Sequence, residues 1–290
     1  MDIRVLEKNV KNPEGPVSLP DGTWVFTEMD IGAITHMTAD GHRRCIAATG
    51  LPNGLAVSAD GRIWVTEAKQ RALLAVSLDG TVETISTGGE EPFLLPNDLC
   101  FGPDGMIYMT DSGILHSEMQ KAKGPMEAYD LPYDGRLYVI NPKTGESRIL
   151  DRGFRLTNGI AFSPDGQYLY LAETLSGEIF RYRIGVWERE PFGNVLKNSP
   201  RSYGRVAGPD GMACDVEGDL YVAVIAQDLT VLAPDGKVLR HIELPGDNPT
   251  NLAFDVNEPT RLLVTESSRG ELLMLDVPTA GAPLFTDQIQ

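Results

Sequence analysis

Short runs of alternating apolar and polar residues fill this chain, and they return in a fixed order. Gly54-Leu55-Ala56-Val57-Ser58 reads as a strand, Ala59-Asp60-Gly61 as a turn, and Arg62-Ile63-Trp64-Val65-Thr66-Glu67 as a second strand. Leu73 to Ser77 gives a third strand, Asp79-Gly80 turns the chain again, and Thr81 to Ile85 gives a fourth. Period-two alternation broken by Asp-Gly turns predicts a four-stranded antiparallel meander. Equivalent turns stand at Asp21-Gly22, Asp104-Gly105, Asp165-Gly166 and Glu217-Gly218, and Asn257-Glu258-Pro259 replaces them in the last copy.

Each copy opens on a short polar phrase. The six are Pro13-Glu14-Gly15, Pro52-Asn53-Gly54, Pro96-Asn97-Asp98, Thr157-Asn158-Gly159, Pro209-Asp210-Gly211 and Thr250-Asn251-Leu252. Successive copies lie 39, 44, 61, 52 and 41 residues apart, against about 40 to 50 residues for a propeller blade. A lone meander cannot bury both its faces, so six of them must stack around an axis. The chain is therefore expected to be all-β, a six-bladed propeller forming a single domain over residues 1–290. The two long intervals place insertions near 112–134 and 186–207. The last copy offers only three clear strands, 251–256, 261–266 and 271–276. Ile3 to Glu7 is expected to add the outer strand of that blade and close the ring.

Composition narrows the function classes. A net charge of -16 disfavours nucleic acid and anionic membrane as partners, because phosphates need Lys and Arg. No stretch approaches 18 apolar residues, and Met1-Asp2-Ile3-Arg4 does not open a signal peptide. The cysteines, Cys45, Cys100 and Cys214, form no CxxC motif or disulfide framework. A cytoplasmic, reducing setting is the expectation.

Candidate chemistry sits in the second residue of each phrase: Glu14, Asn53, Asn97, Asn158, Asp210 and Asn251. In a propeller these side chains would ring one mouth of the central channel. Second strands end on Glu28, Glu67, Asp111, Glu173 and Glu266, with Val224 as the exception. Hairpin geometry returns those acids to the same face, as an outer tier of oxygens. Asn and Asp before a strand also cap loops, and that plainer account holds equally well for Asn53 and Asn251. It is weaker for Glu14 and Asp210, which break an Asn pattern with a charge. A charge in a narrow channel costs several kcal/mol unless it is paired (roughly, for a poorly solvated ion). No Lys or Arg shares the column, so a cation is the simplest compensation. Oxygen donors without His or Cys suit one hard divalent ion. Calcium is the first expectation, with magnesium, manganese or zinc as alternatives.

Three phrases carry a family resemblance: Leu95-Pro96-Asn97-Asp98 with Gly102-Pro103-Asp104-Gly105, Thr157-Asn158-Gly159 running to Pro164-Asp165-Gly166, and Gly208-Pro209-Asp210-Gly211-Met212. Together with Glu14 they resemble the senescence marker protein / gluconolactonase / luciferin-regenerating enzyme superfamily, in the style of bacterial gluconolactonases. The resemblance spans nearly the whole chain. It implies a six-bladed propeller with one divalent metal in the channel. It implies Glu14, Asn158 and Asp210 as metal ligands, Asn97 as a fourth ligand or a substrate contact, and Asp210 as general base. Asn53, Asp98 and Asp111 are further candidates for orienting substrate or ligands. Animal members of the superfamily carry a sugar-contacting Arg where this chain has Leu95, so a more apolar pocket wall is expected here. Met119, Met126, Tyr129 and Tyr133 in the first insertion, and Trp187, Phe192 and Tyr203 in the second, are candidates for a lid.

The resulting expectation is a metal-dependent hydrolase opening a small-molecule lactone, a sugar lactone first. Two rivals stand beside it. One is a hydrolase of a non-sugar lactone or phosphoester on the same site, and the other a non-enzymatic ligand-binding propeller with a structural ion. No GxSxG phrase supports nucleophilic serine chemistry.

Overall fold

The computed structural model describes residues 2–288. Six four-stranded antiparallel sheets make up nearly all of its regular structure, and their inner strands form a closed ring around one axis. The inner strands are Pro13–Ser18, Pro52–Val57, Pro96–Phe101, Thr157–Phe162, Gly208–Cys214 and Pro249–Phe254. The end at which they start is called the front of the ring here. Second strands such as Trp24–Glu28, Ile63–Glu67 and Ile107–Asp111 are buried at every position. That burial follows from blades stacked on both sides. The core lies between blades: Val17, Val25 and Ile34 pack on Leu55, Val65 and Leu74, and Trp24 and Phe26 pack on Leu263 and Leu272 where the last blade meets the first.

The ring closes through its two ends. Ile3–Lys8 pairs antiparallel with Glu271–Asp276, from Ile3 opposite Leu275 to Lys8 opposite Glu271, as the outermost strand of the last sheet. Deleting residues 1–8 strips that ladder and bares an apolar strand edge. The expected cost is about 2–3 kcal/mol, or roughly 3–5 °C in thermal midpoint for a chain of this size. An unchanged midpoint in a melting experiment would show that the closure adds no stability.

In every blade the pairing of inner and second strands slips around the polar residue, for example between Glu14 and Val17, Pro96 and Leu99, and Pro209 and Met212. A bulge re-aims the side chains beside it, which turns the polar column toward the axis. Hydroxyls then tie blade to blade. Thr27 Oγ1 donates to the Asn53 carbonyl at 2.9 Å, Thr110 to that of Asn158 at 2.6 Å, and Thr250 to that of Pro13 at 2.6 Å.

Two segments differ from the expectation. The stretch 186–207 is not one insertion, because Glu190–Asn194 is the fourth strand of its blade. Trp187 precedes that strand at the back of the ring and stacks on Tyr108 with ring centres 5.4 Å apart, so it takes no part in a front lid. Phe192 packs on Tyr170 within the sheet region. The chain's last described residues cross the back of the ring. Asp215 bridges to Gly281, Phe285 meets Phe162 edge-on at 5.7 Å, and Asp287 accepts the Ala59 N–H at 2.9 Å. Among the described residues no helix is long and apolar enough to cross a membrane.

Candidate functional site

Three carboxylates from three different blades meet at the front of the channel: Glu14, Asp98 and Asp210. Each is only 5–7% exposed. Glu14 Oε2 accepts its neighbour's N–H, Gly15, at 2.9 Å, and Asp98 Oδ1 accepts that of Leu99 at 2.9 Å. Burial pushes the Glu14 carboxyl up to about 8, the Asp98 charge adding to the rise, while the Gly15 N–H and the Asn251 amide oppose it. Burial likewise pushes Asp98 up to about 7 against the N–H groups of Leu99 and Ile160. Asp210 is driven well above the usual carboxylate range by burial, then by the charges of Glu14 and Asp98, with the Asn158 amide opposing. Among the described residues no Lys, Arg or His acts on any of the three. Burial and mutual repulsion without a basic partner favour the protonated forms of this cluster.

The repeat explains why the groups sit so close. Asp98 occupies a place held by Gly15, Gly54, Gly159 and Gly211 in four other copies. A Cβ on Gly54 would run into Asp98 Oδ1, and one on Gly211 into Asn251 Oδ1. Glycine thus lets neighbouring inner strands approach while one copy spends the space on a third acid.

Four carboxamides share the ring, and the structure separates their roles. Asn97 Nδ2 donates to Ser112 Oγ and Asn158 Nδ2 to Thr174 Oγ1, both at 3.1 Å. Asn251 spends its Oδ1 on the Leu252 N–H at 2.8 Å, so its amide N–H groups serve Glu14 and Asp98. Asn53 is half-buried, and its backbone carbonyl, not its side chain, takes the Thr27 hydroxyl.

The outer tier of acids has a different use from the one expected. Glu28 takes the Lys11 N–H at 2.9 Å, Glu173 that of Arg155 at 2.7 Å, Glu266 that of Asn248 at 3.0 Å, and Glu67 that of Leu51. Asp111, expected to orient substrate, instead accepts the N–H groups of Leu94 (2.6 Å), Leu95 and Gly113 (both 2.9 Å). These carboxylates anchor the loop that leads into each inner strand. Leu95, expected as pocket wall, is buried among Leu51, Ala68, Ile114, Met119, Leu131 and Tyr133. It packs against the first insertion.

That insertion is folded over the front, with a helical turn at His116–Met119 and a 3-10 turn at Glu127–Asp130. Met119 and Tyr133 join Leu95's cluster to a second one around Tyr129, Leu156 and Leu175. Tyr129 has a particular job. Blade five carries Val224 where the other blades have an anchoring acid, and the Tyr129 hydroxyl fills the place. It accepts the Ala207 N–H at 3.1 Å and donates to the carbonyl of Pro200 at 3.1 Å or Arg205 at 3.3 Å. Ala207 stands three residues before Asp210, as Lys11 stands before Glu14. Tyr129→Phe is therefore expected to cost about 1–3 kcal/mol and to speed hydrogen exchange at the Ala207 amide. Unchanged protection at Ala207 would show that the contact carries nothing.

A hard divalent ion fits this donor set: two acids of the column, free amide oxygens and no basic neighbour. Among the described residues no group of three or more His, Cys, Asp or Glu side chains is placed to hold an ion. Any ion here would need carboxamide oxygens beside Glu14 and Asp210.

The chain is similar to known proteins along most of its length. The family described as SMP-30/Gluconolactonase/LRE-like region matches residues 12–268. A gluconolactonase of Zymomonas mobilis is 27% identical over 278 residues, covering 87% of this chain and 75% of its own. A pentonolactonase of Haloferax volcanii is 24% identical over 317 residues, covering 99% and 98%. A gluconolactonase structure from Xanthomonas campestris superposes with a TM-score of 0.76 at 25% identity, covering 95% of this chain and 89% of its own. The calcium-binding protein regucalcin from Agrobacterium tumefaciens shares the fold, with a TM-score of 0.80 at 21% identity over 98% and 97% of the two chains.

Proposed function

Because the chain belongs to the SMP-30/gluconolactonase/LRE-like family, we propose that it is a divalent-metal-dependent hydrolase that opens a lactone ring, a sugar lactone first. The observation that carries this reading is the buried meeting of Glu14, Asp98 and Asp210 at one mouth of the channel, with no basic side chain acting on them. Relatives named gluconolactonase and pentonolactonase support the reaction class.

Glu14, Asn97, Asn158 and Asp210 would hold the ion, with calcium the first candidate. An ion bound there supplies electrophilic stabilisation of the charge that develops on the lactone carbonyl oxygen. Asp210 accepts a proton from the attacking water as the new C–O bond forms. The ring C–O bond then breaks, and the proton returns from Asp210 to the departing ring oxygen, giving the open hydroxy acid. Asp98 lies close enough to raise the basicity of Asp210. Asn251 turns its amide donors on Glu14 and Asp98 and so stabilises their ionised forms.

A second reading concerns the substrate. Partly buried apolar side chains, Leu51, Met119, Met126, Leu131, Tyr133 and Val206, gather around the insertion on one side of the front. Such a patch favours a lactone or ester with a hydrocarbon substituent over a bare sugar lactone. A pH-indicator screen separates the two. Sugar lactones, alkyl-substituted lactones and phosphotriesters would be offered to chelator-stripped protein with calcium, magnesium, manganese or zinc. Metal-dependent acid release from one lactone class supports the proposal. Silence across the whole panel would leave a non-enzymatic binding propeller as the better account.

A further inference from the structure

An asparagine amide can present either its oxygen or its nitrogen to a site, and the hydrogen bonds of this ring fix the choice at two positions. Ser112 Oγ donates its single proton to the Thr157 carbonyl at 3.0 Å. Its contact with Asn97 Nδ2 at 3.1 Å can then only be one in which the hydroxyl accepts. Thr174 Oγ1 repeats the arrangement one blade on, donating to the Pro209 carbonyl at 2.8 Å and accepting from Asn158 Nδ2 at 3.1 Å. Both hydroxyls are fully buried. In both blades the amide nitrogen is held by a hydroxyl of its own blade, which is itself tied to the next blade, and the Oδ1 is left over; the second N–H of the Asn158 amide serves Asp210.

The other carboxamides lack this support. The residue after the second-strand acid is Ala68 in the blade of Asn53, where no hydroxyl exists. In the blade of Asn251 it is Ser267, which bonds Asn248 instead, and the Oδ1 of Asn251 is spent on Leu252. The hydroxyl one residue past the outer acid thus supports Asn97 and Asn158, is missing beside Asn53 and is engaged elsewhere beside Asn251.

We infer that Ser112 and Thr174 are positioning residues that lock the amides of Asn97 and Asn158 with their oxygens free for a hard cation. Neither hydroxyl touches substrate or ion. The inference rests on the metal-site reading above, and it says which two of the four asparagines serve that site.

The test uses the full chain, stripped with chelator, and two measurements. Calcium affinity by titration calorimetry is expected to fall about 10–100-fold in Ser112→Ala and in Thr174→Val. The conservative variants Ser112→Thr and Thr174→Ser should restore it. The second measurement needs no metal. The side-chain amide signals of Asn97 and Asn158 in nitrogen-15 NMR should move or broaden selectively, Asn97 in Ser112→Ala and Asn158 in Thr174→Val, with Asn53 unchanged. Unaltered amide signals in both variants would overturn the positioning role even if no cation binds. Wild-type calcium affinity in both folded variants would overturn it from the other side. Failure of wild-type protein to bind calcium, with the selective amide changes present, would count against the metal-site reading and leave the hydroxyl lock standing.

Discussion

Asp210→Asn is expected to reduce kcat/KM on the preferred lactone by about a thousandfold or more, the loss of a general base costing roughly 10²–10⁴. The substitution keeps the size of the side chain and one of its oxygens. It removes the proton acceptor and half of the charge that Glu14 and Asp210 bring to the column. Folding should survive and even improve without metal, because Asp210 is a buried carboxylate facing the charges of Glu14 and Asp98. Near-UV circular dichroism would confirm the fold while steady-state kinetics report the loss. A folded variant with wild-type turnover would remove Asp210 from the chemistry.

Glu14→Gln is expected to act in opposite directions on metal binding and on stability. It withdraws one of two charged donors, so affinity for a divalent cation should drop at least about 100-fold. The metal-free protein should gain. The folded state holds the Glu14 proton up to about pH 8, whereas an unfolded Glu releases it near its ordinary 4.5. Between those values the folded state binds more protons than the unfolded one, so stability falls as pH rises through that window. The shift corresponds to a few kcal/mol, as an order of magnitude. Chelator-treated wild type should therefore lose melting temperature from about pH 5 to pH 8, and added divalent cation should reverse the loss. In Glu14→Gln the slope should flatten, with the residual from Asp98 and Asp210. A pH-independent melting temperature in metal-free wild type would contradict the buried, unpaired state of this group.

The blades were legible because alternating runs recur six times behind the same polar phrase, with Asp-Gly turns in four of the copies. Glu14 and Asp210 were legible because they interrupt a column of asparagines. Asp98 was visible as a candidate, but its meeting with acids from two other blades depends on Gly54 and Gly211 letting inner strands approach. The outer acids misled. Register places Asp111 and Glu67 at the front, yet nothing in the sequence says that loop N–H groups will claim both their oxygens. Tyr129 was named as a lid candidate, but its anchoring role was hidden because its partner Ala207 lies 78 residues away and the feature it replaces, an acid at Val224, is an absence. Strand Glu190–Asn194 was obscured by Pro191 and Gly193, residues that ordinarily argue against a strand. Leu95 was legible as apolar, but its packing against the folded insertion was not.

Calorimetric titration of calcium into chelator-stripped protein, run on wild type and on the Glu14→Gln/Asp210→Asn double variant, tests the metal centre most directly. The account predicts one site per chain in the wild type and none in the folded double variant. A wild type that binds no divalent cation, or a double variant that binds as the wild type does, would contradict it.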